Sequence, residues 1–317
     1  MPDRTTRHPE RTQVREYIGT LAELGMSFRI DGQDNEGFTK ADHYITRVGV
    51  HRFDEYFFPF RRILEAGSAA VHLDDVLKLY KFDRKLRLLC LDALERVEIA
   101  AKNYIFNEFE DERGPNWLAD PILFQQKGRD VDLAEGILGN IVRGPRFEGQ
   151  RTRSKKIRTQ YETPQISEAV TFGQLSKLFL ALDVDRQARV ARRFSAPKEQ
   201  FGSWLYSLTY VRNASAHHNR LWNLTYRTRP RIPGSIKQGF GDIDPHHEYS
   251  LRFFAQASVI FYLLQNVARN TQWHRRLYQL LNARDLTPEC INVLDSMGFS
   301  KNWHHMPFWS EAGDSQI

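Results

Sequence analysis

The chain has 317 residues, enough for one large domain or two smaller ones around a substantial core. Charged residues are 26% and hydrophobic residues 41%, the proportions of a soluble globular protein. The formal charge of +6 and a pI near 9.3 suit an anionic partner, nucleic acid first, or simply a soluble protein rich in Lys and Arg.

Two distant cysteines, Cys90 and Cys290, give no disulfide framework and no cysteine-based zinc site, so a reducing compartment is expected. The first ten residues are polar and lack the apolar core of a signal peptide. The longest apolar run, 257–264, falls well short of the roughly 20 residues a bilayer requires. The expectation is a cytoplasmic protein without a membrane anchor.

Residues 1–12 read as a disordered lead and 311–317 as a tail, with a single helical domain over 13–310. Val14, Ile18, Leu21 and Leu24 recur at helical spacing up to Gly25. Ala41, Tyr44, Ile45 and Val48 repeat the pattern over 38–47, with Thr39 as the expected N-cap. The dense run Phe53, Tyr56, Phe57, Phe58 and Phe60 is read as packing for a short helix or loop, with base stacking as the alternative.

The clearest helix covers 79–106. Leu79, Phe82, Leu86, Leu89, Ala93, Val97 and Ala101 follow steps of three and four and define one buried stripe. Asp92–Arg96 and Glu98–Lys102 are i,i+4 pairs that support it. A second stripe, Arg84, Arg87, Glu95 and Glu98, is either a solvated face or a charged wall toward a helix carrying polar chemistry.

Glycines and prolines then interrupt the pattern, and 127–164 reads as a polar insert. It holds Arg151, Arg153, Lys155, Lys156 and Arg158, a patch that either tracks phosphates or simply faces solvent. Thr171-Phe172-Gly173-Gln174 has the form of a capping box. The next helix should bury Leu175, Leu178, Phe179 and Leu182. Pro197 opens another, with Phe201, Trp204, Leu205, Leu208 and Val211 on one face.

That helix runs into Arg212-Asn213-Ala214-Ser215-Ala216-His217-His218-Asn219-Arg220-Leu221-Trp222-Asn223. Residues 225–245 read as a loop and 248–268 as a strongly apolar helix. Thr271 caps a helix containing Trp273, Leu277, Leu280 and Leu281. A short one ends at Met297-Gly298. No strand alternation or hairpin signal is present, so the fold is expected to be all-α.

Three His pairs, 217–218, 246–247 and 304–305, are poor metal ligands, because adjacent helical residues diverge by about 100°. No phosphate-binding glycine loop and no hydrolase nucleophile motif occur. No metal or other cofactor is expected.

The cluster of Arg212, Asn213 and His217 supplies what metal-free RNA cleavage requires. His can move a proton to or from the reacting oxygens, and Arg can stabilise charge on the phosphate. Asn can orient the imidazole or bind a nonbridging oxygen. The same residues could instead cap helix ends as a structural polar cluster.

The chain resembles the Abi family of bacterial abortive-infection proteins, of the AbiD/AbiF type, within the HEPN superfamily. The carriers are Leu79 through Arg87, Glu95 through Glu98 and Thr171 through Ser176, then Trp204-Leu205 and Arg212 through Asn223. Met297-Gly298-Phe299, Trp303 and Trp309 complete the set, so the resemblance covers nearly the whole chain.

The family motif, an Arg followed after four to six residues by His, falls on Arg212 and His217, with Asn213 as the polar residue after the Arg. His218, Arg220 and Asn223 match its extension, and Glu95 and Glu98 are supporting residues. Ser215 stands where the family usually has Cys, and Ser167 where it often has Trp. The resemblance implies a HEPN-like bundle with extra N- and C-terminal helices. It also implies a toxin-like ribonuclease in phage defence, a homodimer, and control by a partner RNA or protein. A catalytically silent RNA- or protein-binding scaffold is the alternative.

Overall fold

The structure is a computed structural model and describes residues 9–29, 34–114, 117, 120–125, 136, 139, 163–232 and 251–314. Twelve α-helices form among them: α1 (Pro9–Glu23), α2 (Asp34–Val48), α3 (Val50–Glu65), α4 (Leu73–Arg113), α5 (Thr163–Ala169), α6 (Phe172–Ala181), α7 (Val184–Arg192), α8 (Lys198–Ala216), α9 (Phe253–Val267), α10 (Trp273–Leu281), α11 (Val293–Ser296) and α12 (Pro307–Asp314). Two isolated bridges, Ser27 with His72 and Phe124 with Leu182, are the extent of β pairing among the described residues. The expected all-α architecture is present. No helix among these residues is long and apolar enough to cross a membrane.

Two compact units are distinguished, one of residues 1–86 with 279–293, the other of 87–278 with 294–317. In the first, α1 already begins at Pro9, inside the stretch read as a lead. The aromatic run lies on α3, and Phe53, Tyr56, Phe57 and Phe60 are buried while Phe58 stays half exposed. Packing therefore accounts for four of the five rings.

Thr39 is not an N-cap. α2 starts at Asp34, and the Thr39 hydroxyl donates to the Asn35 carbonyl at 2.9 Å within the helix. A hydroxyl four residues along can satisfy itself on the preceding turn, so a threonine near an apolar run is an ambiguous start signal.

The second unit holds the motif. α9 is buried on nearly every side, and a helix apolar all round belongs at the centre of a core. The aromatic residues near the C-terminus cover it. Trp309 stacks on Phe261 at 4.9 Å, Trp303 meets Trp309 edge-on at 4.7 Å, and Phe299 packs edge-on to Phe254 at 4.9 Å.

α6 and α8 run antiparallel in close approach. A Cβ on Gly173 would lie 3.3 Å from the Thr209 methyl, and one on Gly202 would lie 2.9 Å from a Leu180 methyl. Both halves of the Thr171–Gln174 capping box form, fixing the start of α6. α8 buries the expected Phe201, Trp204, Leu205, Leu208 and Val211. Ser207 Oγ donates to Gln256 Oε1 at 3.1 Å and ties α8 to α9.

The C-terminal end of α4 is joined to α7 by ion pairs. Glu112 meets Arg186 at 2.8 Å and Arg189 at 2.5 Å, and Glu108 meets Arg193 at 3.1 Å. Hydrogen bonding from Arg189 pulls the Glu112 carboxyl down to about 2, with Arg186 adding to the effect. A carboxyl depressed in the fold contributes stability above its unfolded value and loses it as pH falls through the folded one. Urea midpoints measured from pH 6 to 2 should therefore drop below about pH 4.5. Glu112→Gln should be less stable at pH 6 and give a flatter profile in that window. Parallel curves for the two proteins would contradict this role.

Candidate functional site

α8 delivers the motif from a core-anchored helix. Arg212 through Ala216 form its last turn, and His217 is the C-cap at φ −92°, ψ 10°. His218 then takes φ +61°. The Asn219 amide donates to the Ala214 carbonyl at 2.8 Å and the His218 amide to the Ser215 carbonyl at 3.3 Å. These two bonds define a Schellman ending with His218 at the left-handed position. α11 ends the same way but places Gly298 there, at φ +80°.

A side chain in this conformation carries strain, about 1–2 kcal/mol for most residues and less for His. His218→Gly is expected to keep the ending and raise stability by up to about 1 kcal/mol. Thermal melts check this directly, and a lower melting temperature would mean that the imidazole has contacts outweighing the strain.

The two principal residues leave α8 in different directions. Five residues at 100° each set Arg212 and His217 about 140° apart around the axis. Arg212 turns to α4, where its Nε lies 3.5 Å from Glu98 Oε2. Glu98 also pairs with Lys102 at 3.0 Å. Asn213 and His217 are exposed on the outer side of α8.

The charged stripe of α4 thus meets the motif. Besides Glu98, Arg87 is buried and its Nη1 lies 3.5 Å from the Asn219 carbonyl, at the outer limit of a hydrogen bond. Glu95 is exposed on α4 and lies outside this network.

The remaining motif residues hold the turn in place. The Arg220 guanidinium sits over the buried Trp222 ring at 6.0 Å. Asn223 is also left-handed, at φ +52°, and its Oδ1 accepts from Arg252 Nη1 at 2.8 Å, directly before α9. The Ser215 hydroxyl is buried and has no hydrogen-bond partner among the described residues. A buried hydroxyl without a partner is costly.

Ser167 lines an open groove of about 490 Å³ together with Arg96, Ile99, Asn103 and Tyr104.

The basic patch Arg151, Arg153, Lys155, Lys156 and Arg158 and the pair His246–His247 lie outside the described residues. Among the described residues no group of three or more His, Cys, Asp or Glu is placed to hold a metal ion.

Several features near the motif were not read from the sequence. Sequence spacing marks Lys102 only as a helix-supporting partner, yet it shares Glu98 with Arg212. Tyr206 and Tyr210 also stand beside the motif on the outer side of α8. Their signal is the spacing of Tyr206, Tyr210, Asn213 and His217, steps of four, three and four that put all four on one helix stripe.

A family model described as Abi-like protein matches residues 43–223, more than half of the chain. The match ends at Asn223, the last residue of the motif, so Phe299, Trp303 and Trp309 lie beyond it. Phe299 and Trp309 pack on α9 and Trp303 packs on those two rings, a structural role that needs no shared function. No curated protein and no solved structure shows a significant match to the chain. With the matched stretch running from α2 through the whole of α8 and its Arg-Asn-His turn, the chain belongs to the Abi-like protein family.

Proposed function

We propose that the chain is a HEPN-type, RNA-directed and metal-independent endoribonuclease that acts, toxin-like, in phage defence by abortive infection. The observation that carries this reading is the end of α8. It presents His217 and Asn213 to solvent on a helix whose opposite side is locked in the core, with Arg212 five residues before His217 and turned toward Glu98. Rigid placement of this kind is what a reacting group needs.

In the proposed reaction the RNA 2′-oxygen attacks its own phosphorus. The O2′–P bond forms, the P–O5′ bond breaks, and the products carry a 2′,3′-cyclic phosphate and a 5′-hydroxyl. The O2′ proton must leave and O5′ must gain one; His217 serves in that proton transfer. Arg212 stabilises charge on the phosphorane-like transition state, and Asn213 orients. Glu98, by pairing with Arg212, is a positioning residue.

The 140° between Arg212 and His217 supports a site completed by two copies of the chain, so that one cleft receives residues of both. Control by an RNA or protein partner would keep such an enzyme silent until infection. The second reading, a silent RNA- or protein-binding scaffold, draws on the ion pair that engages Arg212 with Glu98.

Purified protein incubated with RNA in EDTA separates the two. Cleavage leaving 2′,3′-cyclic phosphate ends supports the ribonuclease. RNA binding without turnover, unchanged in Arg212→Ala and His217→Ala, supports the scaffold.

A further inference from the structure

The outer stripe of α8 continues away from the motif as a pair of exposed tyrosines. Tyr206 and Tyr210 are 42% and 40% exposed, although the opposite side of α8 is buried in the core. Their rings meet edge-on at 5.7 Å with planes at 90°, and their hydroxyls are 3.3 Å apart. By the helix rise, Tyr210 lies about 10 Å and Tyr206 about 16 Å from His217 along the axis.

A row of cations flanks this stripe. After the motif the chain turns back along α8 and places Arg227, Arg229 and Arg231 at alternate positions, all exposed. Two contacts fix its course at the far end. The Trp204 indole donates to the Arg231 carbonyl at 2.7 Å, and the Arg231 amide donates to Ser203 Oγ at 3.0 Å. At the near end, hydrogen bonding to Tyr206 raises the Tyr210 hydroxyl above its ordinary value while the Arg227 charge opposes the rise, so Arg227 lies within electrostatic reach of Tyr210.

Tyrosines one helical turn apart are about 6 Å apart along the axis. From the bend at Arg227–Thr228 to the contacts of Arg231 with Ser203 and Trp204, the chain runs beside the stretch of α8 that carries both tyrosines. Exposed rings beside a line of positive charge match the two faces of a single-stranded nucleic acid, flat bases and anionic phosphates. A purely apolar partner would engage the rings but not the arginines.

We propose that this face of α8 is a track for single-stranded RNA: bases stack on Tyr206 and Tyr210, phosphates meet Arg227, Arg229 and Arg231, and the strand is led to His217. The inference rests on the ribonuclease reading for its destination but not for its binding chemistry. A duplex keeps its bases stacked on one another, so the track selects unpaired strands.

The test uses the full chain carrying His217→Ala, so that RNA is not consumed, with a fluorescein-labelled single-stranded oligonucleotide of mixed sequence. Adding Tyr206→Ala or Tyr210→Ala should weaken binding roughly tenfold each. Tyr206→Phe and Tyr210→Phe should bind like the parent, because the ring and not the hydroxyl stacks. Replacing the three arginines by Gln should flatten the slope of log K against log salt by about 2. Unlabelled single strand should compete better than a hairpin of the same composition.

The track is overturned if the Ala variants, folded by circular dichroism, bind RNA like the parent. It is also overturned if Phe costs as much as Ala. The same holds if the Ala variants alter sedimentation while keeping RNA affinity, which would assign the face to a second copy of the chain. A wild-type protein that binds RNA along the track but never cuts it sinks the ribonuclease reading and leaves the track standing. One that cuts RNA with the Tyr variants at full affinity does the reverse.

Discussion

His217→Ala is expected to lower the RNA cleavage rate by about 10²–10⁴-fold, the range carried by a positioned proton-transfer group. The structure makes this substitution unusually clean. His217 is exposed, and as C-cap it contributes its backbone amide to the Asn213 carbonyl, a bond that alanine keeps. An exposed substitution of this kind should change stability by no more than about 0.5 kcal/mol. RNA affinity should also stay close to wild type, because the proposed binding surface lies along Tyr206, Tyr210 and the arginine row. Cleavage rate, affinity and melting temperature measured together therefore give a specific pattern, with only the first one moving. Full activity in the variant would remove His217 from the chemistry and return the motif to a structural role.

Arg212 should behave differently, because its side chain has partners on both sides of the question. It pairs with Glu98, and Glu98 with Lys102. Arg212→Lys keeps the charge but loses the planar fork that suits phosphate oxygens. The same pairing is why Glu98, in the proposed reaction, acts on Arg212 and never meets substrate.

Much of this arrangement was legible in the sequence because it rests on period and spacing. The step of three and four from Leu79 to Ala101 marks the core face of α4, and the step from Phe201 to Val211 marks that of α8. Glu98 was legible only in part, because its stripe on α4 reads equally as a solvated face, and Glu95 on the same stripe does stay exposed. The turn after α8 was not legible. Nothing local announces that His218 takes a conformation usually left to glycine; three-dimensional hydrogen bonding imposes it. Nor does spacing show that Arg231 returns to Trp204, a contact that closes 27 residues of chain. Thr39 failed for the opposite reason: the local signal was real, but an equally local hydrogen bond to the previous turn competed with it.

Trp204→Ala should be the most destabilising change on α8, costing about 3–5 kcal/mol as a large-to-small substitution in a packed core. Trp204 is 1% exposed, its ring lies edge-on to Tyr262 at 5.1 Å, and its indole nitrogen holds the Arg231 carbonyl. Alanine removes both the packing and the latch. The melting temperature should fall by roughly 6–20 °C. Trp204→Phe separates the two effects: it fills most of the volume but leaves the Arg231 carbonyl without its donor. That variant should lose about 1 kcal/mol and, if the arginine row depends on the latch, also lose RNA affinity. Tyr206→Ala, two residues further along the same helix, should leave the melting temperature almost unchanged, because it sits on the solvent side. The opposite outcomes at positions 204 and 206 would show that α8 is built as a core-anchored bar with one functional face. Comparable losses at both would mean that the outer face is itself structural, and the tyrosines would then no longer be available to a strand of RNA.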